Sequence, residues 1–214
     1  MNQRIFPSLM GKNQKEIDLL FKRYSGMVKT LHIDVADGKA VPNTSFWFPF
    51  RLSKKFRYQA HLMVRNPEKW IEKHGHKVDM CIFQWEELAQ RYKGCLQCCA
   101  IPWMKSLKKP VAISLRPETL VQEIRPYLKD IDYILILTVH PGFYGAKFLA
   151  APLRKIKALK KMKPTLKIMV DGGMNPITIR KAAEAGADYF VSGSYVNKAD
   201  DPKKALRELQ EKFS

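Results

Sequence analysis

Eight short apolar runs punctuate the chain, at 5–9, 30–34, 59–64, 80–83, 110–115, 133–138, 168–170 and 189–191. Each has the length and composition of a buried strand, and each leads into an amphipathic or turn-then-helix segment. Helical periodicity fits 14–24, 86–99, 119–128, 153–161, 176–185 and 202–213. Two of these segments open on a capping residue followed by a proline suited to the first turn, Asn175-Pro176 and Asp201-Pro202. Strands alternating with helices imply a parallel sheet. Eight such units close most economically into a (β/α)8 TIM barrel, with a doubly wound sheet as the alternative.

The chain has 214 residues, a length that suits a single barrel domain spanning 1–214. A hydrophobic share of 46% supplies one core, and no apolar run approaches the roughly 18–20 residues of a membrane span. The opening residues lack the apolar stretch of a secretory signal. A soluble, cytoplasmic protein is therefore expected, without a membrane partner.

Charge changes the picture only slightly. The net charge is +18, which suits either nucleic acid or small phosphorylated substrates. However, the basic residues are spread along the whole chain and are densest in the predicted helical regions 155–163 and 203–212. No nucleic-acid module is visible. Solvated helix faces are the simpler reading, and nucleic acid is not an expected partner. Among the four cysteines, Cys95 and Cys98 form a lone CxxC without the second ligand pair of a structural zinc site. Placed inside the predicted helix 86–99, they read as buried or half-buried thiols of a reducing compartment.

Barrel chemistry sits at the C-terminal ends of strands and in the loops that follow. The segment LHIDVADG, 31–38, sets His32 and Asp34 two residues apart on one strand, so both side chains face the same way. Other strand-end positions hold Ser8, His61, Met63, Gln84, Glu86, Thr138, His140 and Asp171. Imidazole and carboxylate groups gathered at equivalent strand ends suit a divalent metal with open coordination positions. The glycines at 142, 145, 172, 173 and 193, with Ser194, occupy loops after the late strands. Barrels frequently bind phosphate there, so a phosphorylated substrate is expected.

The segments PSLM (7–10), LHIDVADGKAVPN (31–43), HLMVRNPEKWI (61–71), TVHPGFYGAKF (138–148), VDGGMNP (170–176) and AAEAGADYFVSGS (182–194) resemble, in matching order, those of the ribulose-phosphate 3-epimerase family. The resemblance implies a (β/α)8 barrel of the pentose phosphate pathway that interconverts D-ribulose 5-phosphate and D-xylulose 5-phosphate. It also implies one divalent ion (zinc, iron(II), manganese or cobalt) and a homo-oligomer.

By position, His32, Asp34, His61 and Asp171 match the family's metal ligands. Asp34 and Asp171 also match its two acid/base carboxylates, which work through a 2,3-enediolate. Ser8, His61, Met63, Gly142, Gly145, Gly172, Gly173, Gly193 and Ser194 match its substrate pocket.

Against the family pattern, Ala36 and Leu137 replace methionines, Gln84 replaces a histidine, and Tyr144 and Ala146 alter the Pro-Gly loop. The segment around 95–107 is slightly longer. These changes spare the matched ligands and touch the pocket walls. They leave open an epimerase of another ketose phosphate, such as allulose 6-phosphate, or a non-catalytic binding protein of the same fold.

Overall fold

The computed structural model describes residues 3–142 and 145–213, so Tyr144 lies outside the described residues. Eight parallel strands form the central sheet: β1 (Ile5–Leu9), β2 (Thr30–Asp37), β3 (Arg57–Met63), β4 (Met80–Gln84), β5 (Ala112–Leu115), β6 (Tyr133–Leu137), β7 (Lys167–Asp171) and β8 (Tyr189–Ser192). Each pairs with the next in sequence order, and β8 pairs back onto β1, so the sheet closes into the expected barrel. Strand β2 runs three residues beyond its predicted end. Its last two residues, Ala36 and Asp37, pair with a two-residue antiparallel strand, Thr44–Ser45.

Successive side chains of a strand face opposite ways, and this alternation sorts the core into two layers. Phe6, Met80, Ile82, Ala112, Leu135, Leu137, Met169 and Val191 fill the barrel interior as one cluster. Their sequence neighbours, including Ile5, Cys81, Phe83, Ile134, Ile136, Ile168 and Phe190, face outward into the larger core shared with the helices. Continued upward, the inward positions turn polar: Ser8 on β1, Asp34 on β2, His61 on β3, Gln84 on β4 and Asp171 on β7. One period-2 rule therefore places both the apolar plug and the groups above it.

The helices are α1 (Gln14–Tyr24), α2 (Pro67–His74), α3 (Trp85–Arg91), α4 (Ile101–Ser106), α5 (Val121–Ile124), α6 (Leu153–Met162), α7 (Pro176–Glu184), α8 (Ser194–Asn197) and α9 (Pro202–Gln210). The two Pro-preceding caps form as expected. Asn175 accepts from the amides of Ile177 and Thr178, and Asp201 accepts from that of Lys204.

Two predicted helices are corrected. The segment 86–99 is not one helix: α3 ends at Arg91, Gly94 takes a positive φ of 75°, and a π-helical turn, Leu96–Ala100, follows. The segment 119–128 is a single α turn, α5, that continues as a 3-10 helix, Arg125–Asp130. Pro126 has no N–H to continue an i to i−4 ladder there. Helices α2, α4 and α8 are too short for their periodicity to stand out.

Candidate active site

At the C-terminal mouth of the barrel, His32 and Asp34 rise from β2, His61 from β3 and Asp171 from the end of β7. Parallel pairing sets Asp34 beside His61 and Ala36 beside Met63. The ligand-type atoms of His32, Asp34, His61 and Asp171 all lie within 4.8 Å of one another. Asp34 is at the centre, with its Oδ1 3.4 Å from His32 Nε2 and 3.5 Å from His61 Nδ1. The Ser8 hydroxyl donates to its other oxygen, Oδ2. Ser8 is itself fixed from outside the barrel mouth, because Asn197 Nδ2 donates to the Ser8 carbonyl at 2.8 Å and Tyr24 donates its hydroxyl to Asn197.

His61 is oriented by its far nitrogen. Its Nε2 lies 2.9 Å from Gln84 Oε1 and 2.9 Å from Ser114 Oγ, and Ser114 Oγ donates to the same Gln84 oxygen at 2.8 Å. The Gln84 amide nitrogen donates to Glu86, which turns Oε1 toward the histidine. An acceptor-only oxygen selects the tautomer with hydrogen on Nε2. The lone pair of His61 Nδ1 then faces Asp34. Gln84 thus orients the His61 ring from the position where the resemblance leads one to expect a histidine. Ser114 was absent from the sequence-derived candidates, although it too faces inward near the end of its strand.

Burial and charge push the two carboxylates apart. Desolvation opposes ionisation of Asp34, but the imidazoles of His32 and His61 beside it outweigh that effect and hold the group well below the usual carboxylate range. Asp171 moves the other way. Burial and then the negative charge of Asp34 raise it to about 6. Burial disfavours a charged His32, yet the two aspartates raise its pKa overall. Two carboxylates with such different proton affinities suit paired acid and base roles.

A cleft partly open to solvent stands above this cluster, and every residue expected in the substrate pocket borders it: Ser8, His61, Met63, Gly142, Gly145, Gly172, Gly173, Gly193 and Ser194. Leu137 and Ala146 border it too. Ala36 is buried against Met63 and Val41 in the wall behind. His140 is not brought in; it is 71% exposed and pairs with Glu118 at 3.1 Å. Met10, Val139, Pro141 and Met174 join the lining without having been singled out in the sequence.

Gly172 has a φ of 110°, and a Cβ there would sit 2.5 Å from a Val139 methyl. Only glycine lets the chain leave β7 this close to the loop after β6. The Thr138 hydroxyl bonds the carbonyls of both Asp171 and Gly172, fixing the same corner.

Compared with known proteins, residues 4–197 match the family model described as Ribulose-phosphate 3 epimerase family. The chain belongs to the ribulose-phosphate 3-epimerase family. It is an enzyme of the isomerase class. Family relatives include the ribulose-phosphate 3-epimerase, cytoplasmic isoform, of Oryza sativa subsp. japonica, 35% identical over 195 residues and covering 84% of this chain and 80% of the relative. The ribulose-phosphate 3-epimerase of Bacillus subtilis is 33% identical over 211 residues, covering 94% and 92%. Among solved structures, 3-hexulose-6-phosphate synthase from Salmonella typhimurium has a TM-score of 0.66 at 15% identity, covering 99% of this chain and 98% of that one. At that identity, the likeness shows that this epimerase family member shares the fold. Among the described residues, no helix is long and apolar enough to cross a membrane.

Proposed function

We propose that the chain interconverts D-ribulose 5-phosphate and D-xylulose 5-phosphate by inversion at C3, with Asp34 and Asp171 as the acid/base pair and His32, Asp34, His61 and Asp171 as ligands to one divalent ion. The observation that carries this reading is the convergence of two imidazoles and two carboxylates at the floor of the cleft. Relatives named ribulose-phosphate 3-epimerase support the pentulose phosphate over a hexulose phosphate.

The residues fit an ion on physical grounds. His32 Nε2, Asp34 Oδ1 and His61 Nδ1 are buried, meet at one point and have no hydrogen-bond partner among the described residues. Leaving a buried polar atom unsatisfied costs about 1–3 kcal/mol, and a cation at the shared point would satisfy all three. Mixed nitrogen and oxygen donors suit zinc, iron(II), manganese or cobalt. Such an ion would act as a Lewis acid for charge developing on substrate oxygens.

The remaining steps belong to the protein's own groups. Inversion requires that a proton leave one face of C3 and that another arrive on the opposite face, so two groups are needed. Asp34, held ionised, takes the C3 proton, while Asp171, which retains a proton more readily, supplies one to the other face of the planar enediolate. The reverse reaction exchanges these roles. Ser8, bonded to Asp34 Oδ2, fixes the orientation of this carboxylate beneath the cleft. Backbone amides of the loops at Gly172-Gly173 and Gly193-Ser194 suit the substrate phosphate, and the excess positive charge favours its approach.

On this reading residues 1–214 act as one catalytic unit, within a homo-oligomer. A cytoplasmic location is part of the same reading, supported by the designation of the rice relative.

The test is turnover of D-ribulose 5-phosphate in deuterated water, followed by NMR, using protein stripped of metal and reloaded with zinc, manganese or iron(II). Metal-dependent formation of xylulose 5-phosphate with deuterium at C3 is expected. Absence of exchange with every ion would overturn the assignment.

A further inference from the structure

Three of the four cysteines lie between α3 and α4. In the π-helical turn Leu96–Ala100, the Cys99 amide donates to the Cys95 carbonyl at 2.9 Å, and the Cys95 amide donates to the Tyr92 carbonyl at 2.8 Å. This widened turn points Cys95, Cys98 and Cys99 at one spot. Their sulfurs all lie within 4.8 Å of one another, and Cys95 Sγ comes within bonding reach of both Cys98 Sγ and Cys99 Sγ. Cys81, the remaining cysteine, is buried elsewhere.

We propose that Cys95, Cys98 and Cys99 form a second, thiolate metal site for a thiophilic divalent ion such as zinc, on the connection between α3 and α4. A sulfur enters only one disulfide, so a Cys95 disulfide accounts for two of the three sulfurs and leaves the convergence of the third unexplained. A shared cation accounts for all three.

Among the described residues no histidine or carboxylate joins the group. The nearby Asp130 carboxylate is occupied by Gln97 at 3.1 Å and Lys105 at 2.5 Å. Cys98 is exposed, so water takes the fourth position. This site is independent of the epimerase reading, because its soft donors select differently from the nitrogen and oxygen donors in the barrel mouth.

The experiment titrates fully reduced protein with zinc(II), and with cobalt(II) as a spectroscopic reporter. A variant carrying Cys95→Ser, Cys98→Ser and Cys99→Ser is measured beside it. Wild-type protein should bind one ion more per chain than the variant, and it alone should show thiolate-to-cobalt charge-transfer absorption in the near ultraviolet. The barrel-mouth ligands contain no sulfur, so that band reports this site alone. Cys98→Ser, at an exposed position, checks the assignment without risk to folding and should remove much of the band. Equal metal content in wild type and the triple variant would overturn the proposal. So would a wild-type cobalt complex without the band.

Discussion

Among the described residues, two clusters gather side chains of metal-ligating type, and they are built in opposite ways. The group at the barrel mouth draws on three strands, with Asp34 and Asp171 separated by most of the chain, and places them deep in the structure. The cysteine group draws on five consecutive positions, 95–99, at the surface. In the first, position is imposed by strand register, so each side chain is held by a sheet that exists for other reasons. In the second, a single turn does all the placing. A long-range site therefore survives most local changes outside it, whereas the local one depends on the conformation of a few residues.

The contrast can be broken most forcefully at the carboxylates. Asp171→Asn keeps shape but removes a proton-transfer group, so turnover should fall by about 10²–10⁴, the scale of a general acid–base residue; Asp34→Asn should behave alike. NMR-detected C3 inversion measures both, and a near-normal rate in either variant would refute the two-carboxylate assignment.

A step outward, Gln84→Leu removes the acceptor that orients His61. Loss of such an outer partner typically weakens metal affinity about 10–100-fold, measurable by chelator competition. An unchanged affinity would show that Ser114 alone holds the ring. Smaller still is the effect of pH. Metal binding needs the ionised carboxylate, and burial raises Asp171 to about 6. As pH falls below that value, affinity at the barrel mouth should drop by about tenfold per unit as this group takes up its proton. Affinity that is flat between pH 7 and 5 would contradict the raised value. At the bottom of the scale, replacing the three cysteines by serine should leave epimerase turnover unchanged, and a large loss would mean that the two clusters are coupled.

What was readable in the sequence follows the same division. The barrel and its mouth were legible because strands have a period of two residues and chemistry collects at their ends; His32, Asp34, His61 and Asp171 each obeyed both rules. Ser114 obeyed them too but has no distinctive chemistry of its own, so nothing marked it until Gln84 and His61 were seen beside it. Asn197 lay beyond reach for another reason: its hydrogen bond to Ser8 joins residues 189 apart in sequence. His140 shows the rule's failure, since a position just past a strand can swing outward to pair with a solvent-exposed glutamate. The cysteine turn was misread because helical periodicity continued through it, while the break depended on the backbone of Gly94 and on a widened turn that leaves no hydrophobic signature.

The closure of the sheet has a temporal consequence. Strand β1 gains its second neighbour only when β8 arrives, through pairs such as Phe6 with Val191, and the Phe190 amide donates to the Arg4 carbonyl at 2.9 Å. On a growing chain, β1 and β2 emerge early, yet β1 keeps an unpaired edge until nearly all the other strands have been made. The clamp of Asn197 on Ser8, and through Ser8 on Asp34, comes later still. The geometry of the barrel mouth is thus among the last things this chain completes during its synthesis, although half of the groups involved are among the first to be made.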